Sequence, residues 1–271
     1  MDQAEYDALL RDLAGEEDGL DALVADLDDA GWATTTPAEG WTVRDQIAHL
    51  AATEEWARTS LENPDRFRAD LEVYAGDPDA RAAGLRDGRL GREQPAGLST
   101  LDWWRTNRRA TGDALQTRAP SDRVPWFGPD MSVASFATAR VMETWAHGQD
   151  VADALGTARG PTARLRHVAE IGVRARPYAY RARGLDVPDT QVHVELVAPD
   201  GSRWAWGPED ADDRITGDAL DWCLVATQRR NPVDTALVVT GDAATEWIGF
   251  AQAFAGPPTE HRPPGTAVTR A

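Results

Sequence analysis

The sequence contains no lysine, a single cysteine and no hydrophobic run long enough to cross a membrane. All 28 basic residues are therefore arginine, and 45 acidic residues bring the formal net charge to −17. A transmembrane helix needs about 20 consecutive apolar residues, so we expect a protein that does not span a membrane. The strong negative charge repels a phosphate backbone, which argues against nucleic acid as a partner.

Few residues are available for a disulfide or a metal site. Cys223 is the one cysteine, so neither an internal disulfide nor a paired-cysteine zinc site is expected. The N-terminus is acidic and amphipathic and lacks the pattern of an export signal, which predicts a cytoplasmic protein. A metal site would have to use carboxylates and the five histidines, which are His49, His147, His167, His193 and His261.

The first part of the chain reads as a helical bundle. Apolar residues recur at helical spacing in four segments, residues 4–29, 43–63, 99–119 and 132–156. Thr42, Ser99 and Ser132 each precede a segment as a suitable N-cap. The connection between the second and third segments is rich in Gly, Pro, Asp and Arg, and we expect one short helix in it, around RFRADLEVY.

After residue 157 the pattern changes to mixed helices and strands. A helix over residues 162–183 precedes QVHVELVA and RWAWG, which alternate as strands, and Asp218 is placed to cap a helix in ALDWCLVATQRR. A strand in ALVVTG and a helix in AATEWIGFAQAFA follow. The predicted fold class is α+β, with a four-helix bundle over residues 1–157, a smaller α+β domain over residues 158–260 and a Pro-rich tail over residues 261–271.

The fourth helix carries a candidate metal-binding pair. Glu143 and His147 lie one turn apart, so a carboxylate oxygen and an imidazole nitrogen can reach one ion at about 2.0 to 2.2 Å. Arg140 and Asp150 share their face of the helix. The alternative is a solvated Glu–His pair, which is more common than a metal site at this spacing.

His49 is a candidate third ligand on the second helix. It lies opposite Ile47 of the apolar stripe and beside Trp56, so the helix is apolar on two sides and His49 should face a neighbouring helix. There it is either a hydrogen-bonded core residue or a metal ligand, and the residues alone leave both open. Two histidines and one glutamate would leave coordination positions free, as catalytic metal sites do.

Two segments resemble a known family. GWTVRDQIAHLAATEEWA resembles the second helix of the DinB/YfiT-like metalloenzyme superfamily, and within it the N-terminal domain of mycothiol-dependent maleylpyruvate isomerases. VPWFGPDMSVASFATARVMETWAHGQDVADALG resembles the fourth helix, with the family's Arg, Glu, His and Asp pattern at Arg140, Glu143, His147 and Asp150. Residues 201–258 look like the companion domain of an actinobacterial subfamily. The resemblance implies an up, down, down, up bundle with one divalent ion held by His49, Glu143 and His147.

The resemblance also implies a function. It indicates a metal-dependent enzyme that uses a low-molecular-weight thiol, such as mycothiol, to isomerise or conjugate a small electrophilic substrate. Zinc is the expected ion, with iron or nickel as alternatives, because a Lewis acid with free positions can present a thiolate at neutral pH. Two alternatives stay open: a non-haem iron(II) enzyme using the same three ligands, and a non-catalytic, metal-stabilised protein that binds a small ligand.

Four further residues are candidates for supporting roles. Asp150 is placed to accept the second ring N–H of His147, and Arg140 either pairs with Glu143 or contacts a substrate carboxylate. Arg229 and Arg230, at the end of the ALDWCLVATQRR helix, are candidates for binding an anionic thiol cosubstrate, with a surface role as the alternative.

Three other expectations concern the surroundings of the site and the assembly of the chain. Trp126 and Phe127 either wall a pocket or plug the core. The second domain is expected to cover the metal site. The expected partners are a small-molecule substrate and a small thiol, and the chain is expected to be a monomer or a homodimer.

Overall fold

The computed structural model describes residues 1–266 and divides the chain into two compact units, with the first ending at Thr157 and the second beginning at Ala158. Residues 267–271, at the end of the predicted Pro-rich tail, lie outside the described residues. Within the described part, no helix is long and apolar enough to cross a membrane. The combination of helices and small sheets confirms the predicted α+β class.

The first unit consists of seven helices and a short two-stranded ribbon. Four long helices, α1, α3, α6 and α7, pack together, while α2, α4 and α5 lie in the connections between them. The bounds are α1 Gln3–Val24, α2 Asp29–Trp32, α3 Val43–Glu62, α4 Pro64–Gly76, α5 Pro78–Asp87, α6 Thr100–Gln116, β1 Arg123–Val124, β2 Met131–Ser132 and α7 Val133–Leu155.

Cross-helix contacts fix the directions of the four long helices. Helices α3 and α6 run parallel, because Asn107 donates to the Ala51 carbonyl and Thr111 donates to the Glu54 carbonyl one turn further along both helices. Helices α1 and α6 are antiparallel, and so are α3 and α7. The contacts that show this are Tyr6 with Leu115, Asp21 with Arg105, Gln46 with His147, and Glu54 with Arg140.

Local sequence explains where the two helices with the candidate ligands begin. The Thr42 hydroxyl accepts from the Asp45 amide, and the Asp45 carboxylate accepts from the Thr42 amide, which is a reciprocal capping box at the start of α3. The Ser132 hydroxyl accepts from the Ser135 amide at the start of α7. Both predicted caps are confirmed.

The connection between α3 and α6 differs from the prediction. It holds two helices, α4 and α5, where one short helix was expected. Pro64 and Pro78 occupy the first turns, where a missing N–H costs nothing, and Asn63 and Asp77 accept hydrogen bonds from the first free amides. The first helix is also shorter than predicted, because α1 ends at Val24 and α2 is a separate turn.

Two apolar clusters fill the first unit, and a polar layer lies between them on every long helix. The first cluster includes Leu9, Leu13, Leu61, Leu115 and Phe136, and the second includes Leu20, Val24, Ile47, Trp104 and Val151. Between these positions the four helices carry Glu17 on α1, Glu54 on α3, Arg108 on α6 and Arg140 on α7.

The described residues of the second unit form a four-stranded sheet and four α-helices. The strand order is β4-β3-β5-β6, with β3 and β5 parallel and the other neighbours antiparallel. Strand β5 was not predicted, and the helix expected over residues 162–183 is interrupted at Ala175. The bounds are α8 Leu165–Arg174, α9 Arg176–Ala182, β3 Val192–Val197, β4 Arg203–Trp206, β5 Asp213–Asp218, α10 Ala219–Ala226, β6 Val238–Thr240 and α11 Asp242–Ile248, with a 3-10 turn over Pro232–Asp234.

Candidate metal centre

His49 of α3 and Glu143 and His147 of α7 converge on one point. One potential ligand atom from each lies within 4.8 Å of the others. His147 Nε2 is 3.3 Å and His49 Nε2 is 4.0 Å from the same atom, Glu143 Oε2. The antiparallel packing of α3 and α7 therefore brings His49 to Glu143 and His147, which follow it by more than 90 residues in the sequence.

The second nitrogen of each imidazole is already engaged. His49 Nδ1 lies 2.6 Å from the Gly88 carbonyl oxygen, and His147 Nδ1 lies 2.5 Å from Gln46 Oε1. Gln46 Nε2 donates to the Thr36 hydroxyl, which fixes the orientation of the amide. Because both acceptors are oxygens that cannot donate, each Nδ1 carries a proton, and each Nε2 is the nitrogen that faces Glu143.

Position 88 requires a glycine. Gly88 caps the C-terminus of α5 with a φ of +67°, in the left-handed region that favours glycine. A Cβ at this position would collide with the Trp41 ring. The Trp41 indole N–H donates to the Arg86 carbonyl at 3.1 Å. Hydrogen bonds therefore connect both Trp41 and His49 to the end of α5.

Trp41 forms an aromatic wall beside both histidines. Its ring centroid lies 5.3 Å from that of His49 and 6.1 Å from that of His147, and it stacks on His147 with an interplanar angle of 16°. The two imidazoles are 4.5 Å apart. The apolar indole excludes water from one side of the three converging side chains.

Glu143 is held in its ionised form. Burial favours the neutral acid, but hydrogen bonds from His147 and His49 and the positive charge of Arg140 keep the pKa of the Glu143 carboxyl well below its usual value. An ionised carboxylate beside two imidazole nitrogens is a donor set that divalent transition metals bind.

Arg140 pairs with Glu54, whereas the sequence predicted two alternative partners for it, Glu143 or a substrate carboxylate. Its Nε donates to Glu54 Oε1 at 2.9 Å, and its Nη2 donates to the Thr53 hydroxyl at 3.1 Å. Arg140 and Glu54 are 2% and 1% exposed. The ion pair between Arg140 and Glu54 therefore lies inside the bundle. The periodicity of α7 places Arg140 beside Glu143 and cannot reveal a partner on another helix.

His147 Nδ1 contacts Gln46, and the hydrogen bond proposed between Asp150 and His147 stays a prediction. Asp150 lies one turn beyond His147 and is buried. Gln46 was available from the sequence, since it precedes His49 by three residues and so shares its face of α3. Gly88 carried no comparable signal, because a backbone carbonyl has no sequence signature.

Trp126 and Phe127 belong to an aromatic cluster in the core. Trp126 packs on Phe136 and Phe67, with ring centroids 4.9 and 5.8 Å apart. Phe127 lies 5.3 Å from Trp56. Of the two alternatives, the structure favours the core plug.

Arg229 and Arg230 lie in the second unit, in the turn after α10, which ends at Ala226 and is shorter than predicted. Arg229 Nη1 donates to the Thr227 carbonyl at 2.7 Å, and Arg230 Nη1 donates to the Arg229 carbonyl at 2.8 Å. Their role in binding an anionic cosubstrate stays a prediction.

Cys223 and His193, also in the second unit, are both buried. Cys223 is buried as predicted, and burial raises the pKa of its thiol well above the usual value. His193 was expected to face outward from its strand, but it is 1% exposed and its Nδ1 lies 3.2 Å from the Gly207 carbonyl.

Comparison with known proteins gives matches over both units. A family model described as the mycothiol maleylpyruvate isomerase N-terminal domain matches residues 13–152, and one described as wyosine base formation matches residues 188–240. An uncharacterized protein of Mycobacterium tuberculosis, found in two strains, is 45% identical over 254 residues, which cover 93% of this chain and 96% of the relative.

Two solved structures share the fold. A crystal structure of the mycothiol-dependent maleylpyruvate isomerase superimposes with a TM-score of 0.54 at 17% identity, covering 83% of this chain and 89% of the other. A histidine-to-alanine mutant of that enzyme gives a TM-score of 0.54 at 16% identity, with the same coverage.

Proposed function

This chain belongs to the mycothiol maleylpyruvate isomerase N-terminal domain family, and from that membership we propose that it is a divalent-metal-dependent enzyme with a small thiol as cosubstrate. The substrate class we propose is a small electrophile, which the enzyme isomerises or conjugates to the thiol. The observation that carries the proposal is the convergence of His49, Glu143 and His147.

The three side chains fit a catalytic metal ion. Two neutral imidazoles and one carboxylate match the ligand sets of catalytic zinc sites, which keep a position free for water or substrate. When bound, a divalent ion with a free position lowers the pKa of a thiol and stabilises the thiolate. The chain contributes the two Nε2 atoms, which Gly88 and Gln46 orient, and an ionised Glu143.

The thiol is supported by the relationship to a structure described as mycothiol-dependent. In this chain, Trp41 offers an apolar surface beside the ligands, which suits a sulfur atom and the carbon skeleton of a small substrate. Arg229 and Arg230 are retained as proposed contacts for an anionic group of the cosubstrate.

The first experiment measures metal content. We expect about one divalent ion per chain after purification without chelators, because three convergent ligands define one site. His49→Ala, Glu143→Ala and His147→Ala should each lose it. His261→Ala is the control, because His261 contacts the Ile248 carbonyl in the second unit. Metal retained at wild-type stoichiometry by all three ligand variants would show that the site lies elsewhere.

The second experiment tests the thiol and the type of reaction. Metal-replete protein is incubated with small electrophiles, maleylpyruvate among them, with and without mycothiol or glutathione. Turnover that requires thiol without consuming it indicates isomerisation, and stoichiometric loss of thiol indicates conjugation. Turnover independent of thiol in protein that carries iron would favour the iron(II) alternative, and no turnover across the panel would favour a binding protein.

A further inference from the structure

A buried ion pair links the two helices that carry the proposed ligands. Arg140 lies on α7 one turn before Glu143, and Glu54 lies on α3 five residues after His49. Their side chains meet at 2.9 Å inside the bundle, and both are almost fully buried. The contact lies about one helical turn from the ligands, because three residues rise about 4.5 Å along a helix.

Thr53 connects this pair to the backbone of the ligand itself. Its hydroxyl accepts from Arg140 Nη2 at 3.1 Å and lies 3.0 Å from the His49 carbonyl oxygen, to which it donates. Arg140 thus contacts two successive residues of α3 with two different nitrogens. A planar guanidinium that makes two directed bonds fixes both the height and the rotation of α3 against α7.

Stability alone is a weak explanation for this arrangement. Two charges removed from water carry a large desolvation cost, and an apolar pair of similar volume often stabilises a protein as well or better. Glu54 is not fully satisfied either: within the described residues, its Oε2 has no hydrogen-bond partner. A buried pair of this kind is better explained by the geometry that it imposes.

We infer that Arg140, Glu54 and Thr53 are positioning residues, which hold α3 and α7 in the register that lets His49 and Glu143 share one metal ion. This inference rests on the proposed metal site. None of the three residues needs to touch the ion, and we expect their loss to weaken metal binding in a protein that still folds.

The test uses the double variant Arg140→Met/Glu54→Gln in the full-length chain. Removing both charges avoids leaving one buried charge unpaired; Gln has the same length as Glu, and Met is an unbranched apolar side chain that replaces the aliphatic part of Arg. We expect zinc affinity, measured by competition with a chromophoric chelator, to fall by about 10- to 100-fold, as it does when residues supporting metal ligands are changed.

A second readout separates positioning from general stability. Cobalt(II) at saturating concentration reports the coordination geometry through its visible absorption spectrum, which a loss of global stability does not alter in folded protein. We expect an altered spectrum in the double variant. Thr53→Val, which removes only the hydroxyl, should change the zinc affinity and the spectrum in the same direction and by less.

The matched control is Arg105→Met/Asp21→Asn. Arg105 and Asp21 form a two-point ion pair, with contacts of 2.6 and 2.7 Å, between α6 and α1, which carry no proposed ligand. This control should lose stability, measured by urea unfolding of the metal-free proteins, without losing zinc affinity.

Three outcomes overturn the inference. If the wild-type chain binds neither zinc nor cobalt, the metal site and the positioning role both fall. If the wild type binds metal, while the double variant and Thr53→Val keep its affinity and cobalt spectrum, only the positioning role falls. An equal loss of affinity in the control would also overturn it, because any ion pair between two helices of the bundle would then have the same effect.

Discussion

At the scale of single residues, the candidate site depends on groups that hydrogen-bond to the proposed ligands and are not ligands themselves. Gln46 and Gly88 each accept a hydrogen bond from an imidazole, and each thereby decides which nitrogen is available. The ligands were found from the spacing of Glu143 and His147 and from the family resemblance. Of their supporting partners, Gln46 could have been found from its position one turn before His49, whereas the carbonyl oxygen of Gly88 leaves no periodic pattern.

Gln46→Ala should weaken metal binding without removing it. The substitution deletes the acceptor that holds His147 in one tautomer, and such losses cost about 10- to 100-fold in metal affinity. Chelator competition on the purified variant measures this. Gln149→Ala is the control, because Gln149 bonds to Asp153 within α7. Wild-type affinity in Gln46→Ala would show that Gln46 does not orient the imidazole.

Glu17 should make the stability of the first unit depend on pH. Burial raises the pKa of the Glu17 carboxyl well above its ordinary value of 4.5, with the charge of Glu54 adding to the effect and Arg108 and Arg140 opposing it. The folded state therefore keeps a proton that the unfolded chain releases first. The stability that this bound proton contributes is fully present below about pH 4.5. It is lost as the pH rises through the folded-state pKa of Glu17.

Glu17→Gln tests this dependence. The variant keeps the shape of the protonated side chain but cannot ionise, so its stability relative to wild type should increase from pH 5 to pH 8. Urea unfolding with a chelator present gives the difference at each pH. Glu39→Gln, an exposed loop substitution, should show no such trend. A constant difference between Glu17→Gln and wild type would contradict the shifted pKa.

At the scale of elements, the sequence predicted long amphipathic helices well and polar or interrupted elements poorly. Helices α3, α6 and α7 have clear apolar periodicity and cap residues, and their positions are confirmed. Helices α4 and α5 are short and mostly exposed, so a Gly-, Pro- and Asp-rich composition concealed them. Strand β5, Asp213–Asp218, was missed because its five polar or glycine residues leave no apolar run, although it is central in the sheet.

The end of α5 is the element whose position matters most to the site. Gly88→Ala places a methyl group against Trp41 and strains a backbone with φ of +67°. Gly97→Ala is a matched control, because Gly97 also has a positive φ, +84°, but has no neighbouring atom within 4 Å of an added Cβ.

Both glycine variants should lose about 1 kcal/mol or more of stability from backbone strain, since an alanine at positive φ is disfavoured. Only Gly88→Ala should also weaken zinc binding, because the collision displaces the carbonyl that orients His49. Urea unfolding and chelator competition measure the two effects separately. Equal zinc affinity in the two variants would mean that the Gly88 carbonyl does not support the site.

At the scale of the whole molecule, the separation into two units has a direct consequence for metal binding. Both apolar clusters and the polar layer between them lie within residues 1–157, and so do His49, Glu143 and His147 with their supporting partners Gln46 and Gly88. Everything proposed here to hold the ion therefore comes from the first unit.

A fragment of residues 1–157 should accordingly fold and bind metal. The buried side chains of α1, α3, α6 and α7 supply a core of the size that independent domains possess. We expect a cooperative unfolding transition, about one zinc ion per fragment, and a zinc affinity within about tenfold of the full-length chain. His147→Ala in the fragment should abolish binding. A folded fragment that binds no zinc would show that the second unit contributes to the metal site, which the convergence of His49, Glu143 and His147 argues against.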